Sequence, residues 1–249
     1  MISIKTDKEL ELMMTSGHIN YETHQLIEKN IKVGITTKEL DNIAESFIRK
    51  NNGIPSFKGF EGYPKSICIS LNDEVVHGIP DKRVLSKGDI ISIDIGVIYK
   101  GFHSDSARTY IVGESKNKKH EMLVSKTKEA LYAGINKVKA GAKISDISEA
   151  IEQVAKKNKL GVIRELVGHG VGTSLHEEPD VPNFKTNEGN IILQSGMTIA
   201  IEPMFTLGKR NVELLENDWT IVTRDGSNAA HFEHTVAVTT SGYKIITGE

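Results

Sequence analysis

Two stretches of this chain occur twice at a nearly constant offset. Gly34-Ile-Thr-Thr-Lys-Glu-Leu40 through Asn51 aligns with Gly141-Ala-Lys-Ile-Ser-Asp-Ile147 through Asn158 at a shift of 107. Gly88-Asp-Ile-Ile-Ser-Ile-Asp94 aligns with Gly196-Met-Thr-Ile-Ala-Ile-Glu202 at a shift of 108. Apolar positions match within the first pair: Leu40 with Ile147, Ala44 with Ile151 and Phe47 with Val154. Such a period exceeds the roughly 20 to 50 residues of a solenoid repeat, so it predicts an internal duplication. The expectation is one closed unit over residues 1–249, built from half-repeats of about 1–113 and 114–249.

Each half carries a carboxylate at the equivalent strand position, Asp94 in the first and Glu202 in the second. Ile90 to Val97 is rich in β-branched residues, and Tyr99-Lys100-Gly101 supplies the turn of a hairpin. Folding about the Tyr99/Lys100 peptide predicts that Asp94 and Asp105 pair directly, about 4.5 to 5.5 Å apart as cross-strand neighbours. Two carboxylates there either share a proton, with one pKa pushed up, or hold a hard divalent cation. Glu233, in AHFEHTVAV, stands in the second half where Asp105 stands in the first, so four carboxylates are expected to converge on a pseudo-twofold axis.

Composition excludes several classes. With 31 basic and 33 acidic residues among 249, nothing points to bulk electrostatic binding of nucleic acid. The runs Lys116-Asn117-Lys118-Lys119 and Lys156-Lys157 read as solvated helix surface. One cysteine, Cys68, forms no internal disulfide. No apolar run is long enough to span a bilayer, and the N-terminus lacks the pattern of a secretory signal.

In chain order, Thr6-Asp-Lys-Glu9 is a capping box opening a helix that ends near Gly34. A second helix covers Thr37 to Asn51, a third Lys119 to Lys139, and Ser145 to Asn158 repeats the second. Pairing two helices with each hairpin gives α/β units whose helices cover one sheet face and leave the other concave. The glycine-spaced aromatics Phe57, Phe60 and Tyr63 are either loop packing or the wall of an apolar pocket. Trp219 is likewise core or cavity wall. His77, before Gly78, suits a side chain aimed into a cavity. In Gly168-His169-Gly170-Val-Gly172, the glycines imply close backbone packing around an imidazole of fixed direction. His169 and His176 lie seven apart, which is not the i, i+4 spacing of a helical zinc motif. A single strand, Met197 to Phe205, carries Glu202 on the face of Thr198 and Ala200. His103 shares a face with Asp105 and His231 with Glu233, as orienting partners of the carboxylates or as solvent-facing groups. His234 points away and reads as structural, His18 and His24 as exposed or hydrogen-bonded, and His120 as surface.

In order along the chain, Asp94, Asp105, His169, Glu202 and Glu233 form a set that resembles the ligands of the type I methionine aminopeptidases. YPKSICISLNDEVVHGIP, GHGVGTSLHEEP, IAIEPMF and DWTIVTRDGSNAAHFEHTVAV are similar to that family's segments. The resemblance implies the pita-bread fold, an α/β (α+β) architecture of two pseudo-symmetric halves with a curved antiparallel sheet covered by helices on its outer face. It implies two divalent metal ions, of cobalt, manganese, iron, zinc or nickel. Asp94 would ligate one through both oxygens, Asp105 and Glu233 would bridge, and His169 and Glu202 would complete the other. His77 and His176 are similar to the family's substrate-contacting histidines. Tyr63, Cys68 and Trp219 match residues around the methionine side chain, while Phe57, Phe60 and Leu175 depart from what bacterial relatives often carry. The implied activity is removal of the N-terminal methionine of nascent polypeptides, preferentially before a small second residue, by metal-bound hydroxide. Glu202 would be ligand and base at once. A cytoplasmic monomer in transient contact with the ribosome is the accompanying expectation. Xaa-Pro-type metallopeptidases and non-catalytic binding proteins of the same fold are the alternatives.

Overall fold

Thr6 opens the first helix, α1 (Asp7–Asn30), through the reciprocal capping box with Glu9, and Thr36 opens α2 (Thr37–Lys50) in the same way with Glu39. The computed structural model describes residues 2–115, 117–186 and 191–248. Lys116, in the first basic run, lies outside them. The remaining helices are α3 (Lys118–Ile135) and α4 (Ile144–Asn158). Among the described residues no helix is long and apolar enough to cross a membrane.

The repeat has a direct structural image. Helix α4 follows α2 at the offset of 107, and the isolated bridge Thr36–Val84 recurs as Lys143–Ile192. Gly34 N–H donates to Leu85 O as Gly141 N–H donates to Leu193 O, each at 2.9 Å. Both glycines sit at positive φ, 94° and 86°, where a side chain would be strained. Two apolar clusters follow the same division. One gathers Leu40, Ile48, Ile69, Ile91 and Ile93; the other gathers Leu131, Ile147, Ile151, Ile199 and Phe205.

In the first half, the antiparallel hairpin Ile90–Tyr99 with Phe102–Ile111 is flanked by Cys68–Leu71 and Ile54–Pro55. In the second, Thr198–Ile201 lies between His234–Val238 and Gly168–Gly170. Helix α1 packs on the first hairpin and α3 on α4. This is the mixed α/β pita-bread arrangement, with helices outside and the inner face of the strands free for chemistry.

Helix α1 is not held by apolar side chains alone. It buries Ser16, Asn20, Thr23 and His24 beside Met13, Ile19 and Ile27. Ser16 Oγ donates to Val97 O at 2.8 Å, Ser106 Oγ donates to Asn20 Oδ1 at 2.6 Å, and a ring nitrogen of His24 meets Ser106 O at 2.9 Å. The helix is thus tied to the strand of Asp105 by polar contacts as well as apolar ones.

Candidate metal centre

The hairpin turns on Lys100 and Gly101, at φ of 48° and 85°, the paired positive φ of a tight type I′ turn. That centre lies one residue beyond the expected one. Asp94 is therefore opposite Ala107, and Asp105 is opposite Gly96. The two aspartates are diagonal neighbours on one face, not a direct pair. Gly96 has no room for a Cβ, which would meet Phe57 Cε1 at 2.6 Å.

The expected single strand around Glu202 is two, Thr198–Ile201 and Met204–Thr206, because Pro203 offers no N–H to continue the ladder. Glu202 stands in the break, and Asn183 Nδ2 donates to its carbonyl at 3.0 Å. His169 comes from the Gly168–Gly170 strand, where a Cβ on any of Gly168, Gly170 or Gly172 would collide with neighbouring atoms. The close packing expected there is present. His169 Nδ1 is 2.9 Å from Gly170 O, which aims Nε2 toward Glu202 Oε1 at 3.6 Å.

The halves meet along residues 105–109 and 231–235. Ala107 and Glu233 exchange backbone hydrogen bonds, at 3.3 and 2.9 Å. The Thr235 hydroxyl accepts from Asp105 N–H at 2.9 Å and donates to Asp105 O at 2.7 Å. The Thr109 hydroxyl treats His231 identically, at 2.9 and 2.6 Å. These pairs fix the equivalence: Glu233 corresponds to Ala107, and the counterpart of Asp105 is His231. The expected match of Glu233 with Asp105 is corrected accordingly.

Asp94, Asp105, Glu202 and Glu233 all line one cavity together with His169. Burial, with Asp94 alongside, pushes Asp105 well above the usual carboxylate range. Burial, with Asp105, Glu202 and Asp94 around it, does the same to Glu233. Burial raises Asp94 to about 6, against the pull of His231. At Glu202 burial acts upward too, but His231, His169 and His77 outweigh it and hold the carboxyl low. Asp94 Oδ1, Asp105 Oδ1, Glu233 Oε1 and His231 Nε2 are buried with no hydrogen-bond partner. Such atoms are costly unless something positive meets them. Two ligand groupings, Asp105/His169/Glu233 and Glu202/His231/Glu233, each bring donor atoms within 4.8 Å of one another and share Glu233. The donor set fits divalent cations. His231 is the member that alternation along the strand raised but did not place, because nothing local distinguishes a buried imidazole from a solvated one.

The cavity, of about 60 Å³, continues from the carboxylates to Phe57, Phe60, Tyr63, Cys68, His77, Leu175, His176 and Trp219. The Tyr63 hydroxyl donates toward Gly78 O at 3.0 Å and Ile67 O at 3.2 Å, and its ring meets Trp219 edge-on at 5.0 Å. Asp41, from α2, accepts from the amides of Ser66 and Ile67 at 2.9 and 3.2 Å and so anchors the start of the strand of Cys68. His176 packs its ring 4.2 Å from His169 and 5.4 Å from Phe60. Its loop is closed by Glu177, which accepts from Ser174 N–H at 3.1 Å and pairs with Lys5 at 2.6 Å. His77 is at φ 58°, with its ring 6.5 Å from Trp219.

Other histidines lie elsewhere. His103 meets Ser56 Oγ at 3.1 Å, and His234 is held by Thr247 at 2.8 Å. His120 is half-buried against Asn228 at 3.1 Å rather than a plain surface residue.

A pita-bread scaffold with carboxylates and imidazoles converging beside an apolar slot defines a metal-dependent hydrolase. The profile of metallopeptidase family M24 matches residues 11–240, and the chain belongs to that family. It is 49% identical to methionine aminopeptidase 1 of Bacillus subtilis over 247 residues, 99% of each chain. It is 48% identical to the methionine aminopeptidase of Clostridium acetobutylicum, again over 99% of each. The crystal structure of methionine aminopeptidase from Thermotoga maritima superposes with a TM-score of 0.97 at 42% identity, covering both chains entirely.

Proposed function

We propose that this chain is a metal-dependent methionine aminopeptidase, removing the N-terminal methionine of nascent polypeptides when the second residue is small. The observation that carries the reading is the continuity of the carboxylate cluster with a slot walled by Tyr63, Cys68, Leu175 and Trp219. A reaction centre beside a narrow apolar pocket suits an unbranched thioether side chain.

The proposal takes residues 1–249 as one catalytic unit with halves of about 1–113 and 114–249. Two divalent cations, of cobalt, manganese, iron, zinc or nickel, would be held by Asp94, Asp105, His169, Glu202 and Glu233. When bound, they lower the pKa of water from about 15.7 to about 7 and supply a nucleophile at neutral pH. Glu202 accepts the proton of the attacking water and returns it to the leaving amine. His176, at the mouth beside His169, donates to the scissile carbonyl oxygen as charge develops. His77 orients the amide of the second residue. Phe57, Phe60 and Leu175 complete the wall and exclude water from the methionine side chain. The setting proposed is the cytoplasm, as a monomer in passing contact with the ribosome where N-termini emerge.

Hydrolysis of Met-Ala-Ser is the direct test, compared with Ala-Pro peptides under the same metal loading. Release of free methionine from the first supports the proposal. Preferential cleavage before proline would replace it with an Xaa-Pro peptidase.

A further inference from the structure

One buried imidazole beside the cluster is not among the five residues assigned to the cations. His231 is 2% exposed, and its Nε2 lies 3.3 Å from Glu202 Oε2 and 3.9 Å from Glu233 Oε2. Both carboxylates are within ion-pair reach of that nitrogen, although neither meets it with hydrogen-bond geometry. We infer that His231 is a further metal ligand, a second imidazole beside His169, which shifts the centre from oxygen-seeking manganese toward zinc, nickel, cobalt and iron. The inference rests on the reading of the cluster as a metal centre.

Two independent observations carry it. The first is donor geometry: Nε2 of His231 lies within 4.8 Å of ligand oxygens on both Glu202 and Glu233, a grouping as tight as the one around His169. A buried ring nitrogen that faces two carboxylates, with no hydrogen bond holding its lone pair, is placed to ligate a cation shared with them. The second is symmetry. His231 is the counterpart of Asp105, and a threonine hydroxyl of the opposite half grips its N–H and C=O just as one grips those of Asp105. The duplicated scaffold therefore presents a donor at the same place twice, an oxygen in one half and a nitrogen in the other. Imidazole suits zinc, nickel and iron, whereas carboxylate and water suit manganese, so a second imidazole changes selectivity.

X-ray absorption at the zinc edge of the zinc-loaded protein counts imidazoles from their outer-shell scattering and needs no activity. The inference predicts two imidazoles per chain in the unmodified protein, falling to one in His231→Gln. Calorimetric titration predicts that His231→Gln lowers the ratio of zinc to manganese affinity by at least about tenfold, the lower end of what even an indirect partner of a metal contributes. His169→Gln is the comparison, losing the other imidazole. Because the count is made first on the unmodified protein, a folding defect in the variant cannot hide the answer. One imidazole in the unmodified protein, with the metal ratio unchanged in His231→Gln, would overturn the assignment and leave the metal centre standing. Failure of the unmodified protein to bind any divalent metal would overturn both.

Discussion

Ala107 and Glu233 hold one another across the junction of the two halves, each donating its backbone N–H to the other's carbonyl. A bond pair of that kind between related positions marks the pseudo-twofold axis, and Thr109 and Thr235 stand on either side of it. Their hydroxyls are buried and take up the backbone groups of His231 and Asp105. Replacing either threonine by valine keeps the shape and removes the bridge. Thr109→Val and Thr235→Val are each expected to lower unfolding free energy by about 1 to 3 kcal/mol, the cost of stranding buried polar groups. Denaturant titration checks this; a change near zero would mean that water replaces the hydroxyl.

Metal loading should stabilise the fold, because cations bind the native cluster and not the dispersed carboxylates of the unfolded chain. At free metal about 100-fold above Kd the expected gain is about 2.7 kcal/mol. It is read as a rise in Tm on adding metal to chelator-treated protein, and Glu233→Gln should abolish most of that rise.

His176→Ala is expected to reduce turnover by at least roughly tenfold, the lower end of the loss of one oxyanion donor. Metal content should stay intact, since the residue sits at the mouth and not among the unpartnered carboxylates. Turnover near normal at full metal content would remove His176 from the mechanism.

Acid sensitivity should trace partly to His24, behind the strand of Asp105. Burial holds its pKa well below 6.5, and Arg108 adds to the depression against the Ser106 carbonyl. The unfolded chain therefore binds a proton below 6.5 that the folded chain does not. Stability is at its full value above that pH and is lost as pH falls below it, by about 1.4 kcal/mol per pH unit for one such group. His234, depressed to about 3 by burial, acts in the same direction. His24→Gln should flatten the slope of unfolding free energy against pH by the share of one histidine. An unchanged slope would show that the native state admits the proton.

Much of this architecture is legible in the sequence. The capping boxes at Thr6 and Thr36 announced their helices, the repeat announced α4, and β-branched runs announced the hairpin. The carboxylates stood out once the repeat aligned Asp94 with Glu202, whereas His169 was marked by its flanking glycines and joined the ligand set only through the resemblance to the type I methionine aminopeptidases. Register was harder. The preference of a tight turn for positive φ at Lys100 and Gly101 displaced the pairing, so Asp105 faces Gly96 and not Asp94. The buried stripe of Ser16, Asn20, Thr23 and His24 reads as surface by hydropathy, because its partners are strand groups some 80 residues away. His231 and the threonine bridges were illegible for a related reason. Their meaning depends on an axis that exists only after both halves have folded.

Side chains from both copies of the duplicated scaffold are expected to surround a pair of cations. Anomalous diffraction at the cobalt edge from cobalt-soaked crystals tests this most directly. Two peaks are expected, each within about 2.0 to 2.6 Å of carboxylate oxygens and with Glu233 touching both. Peaks confined to surface residues, or none near Glu233, would contradict the account.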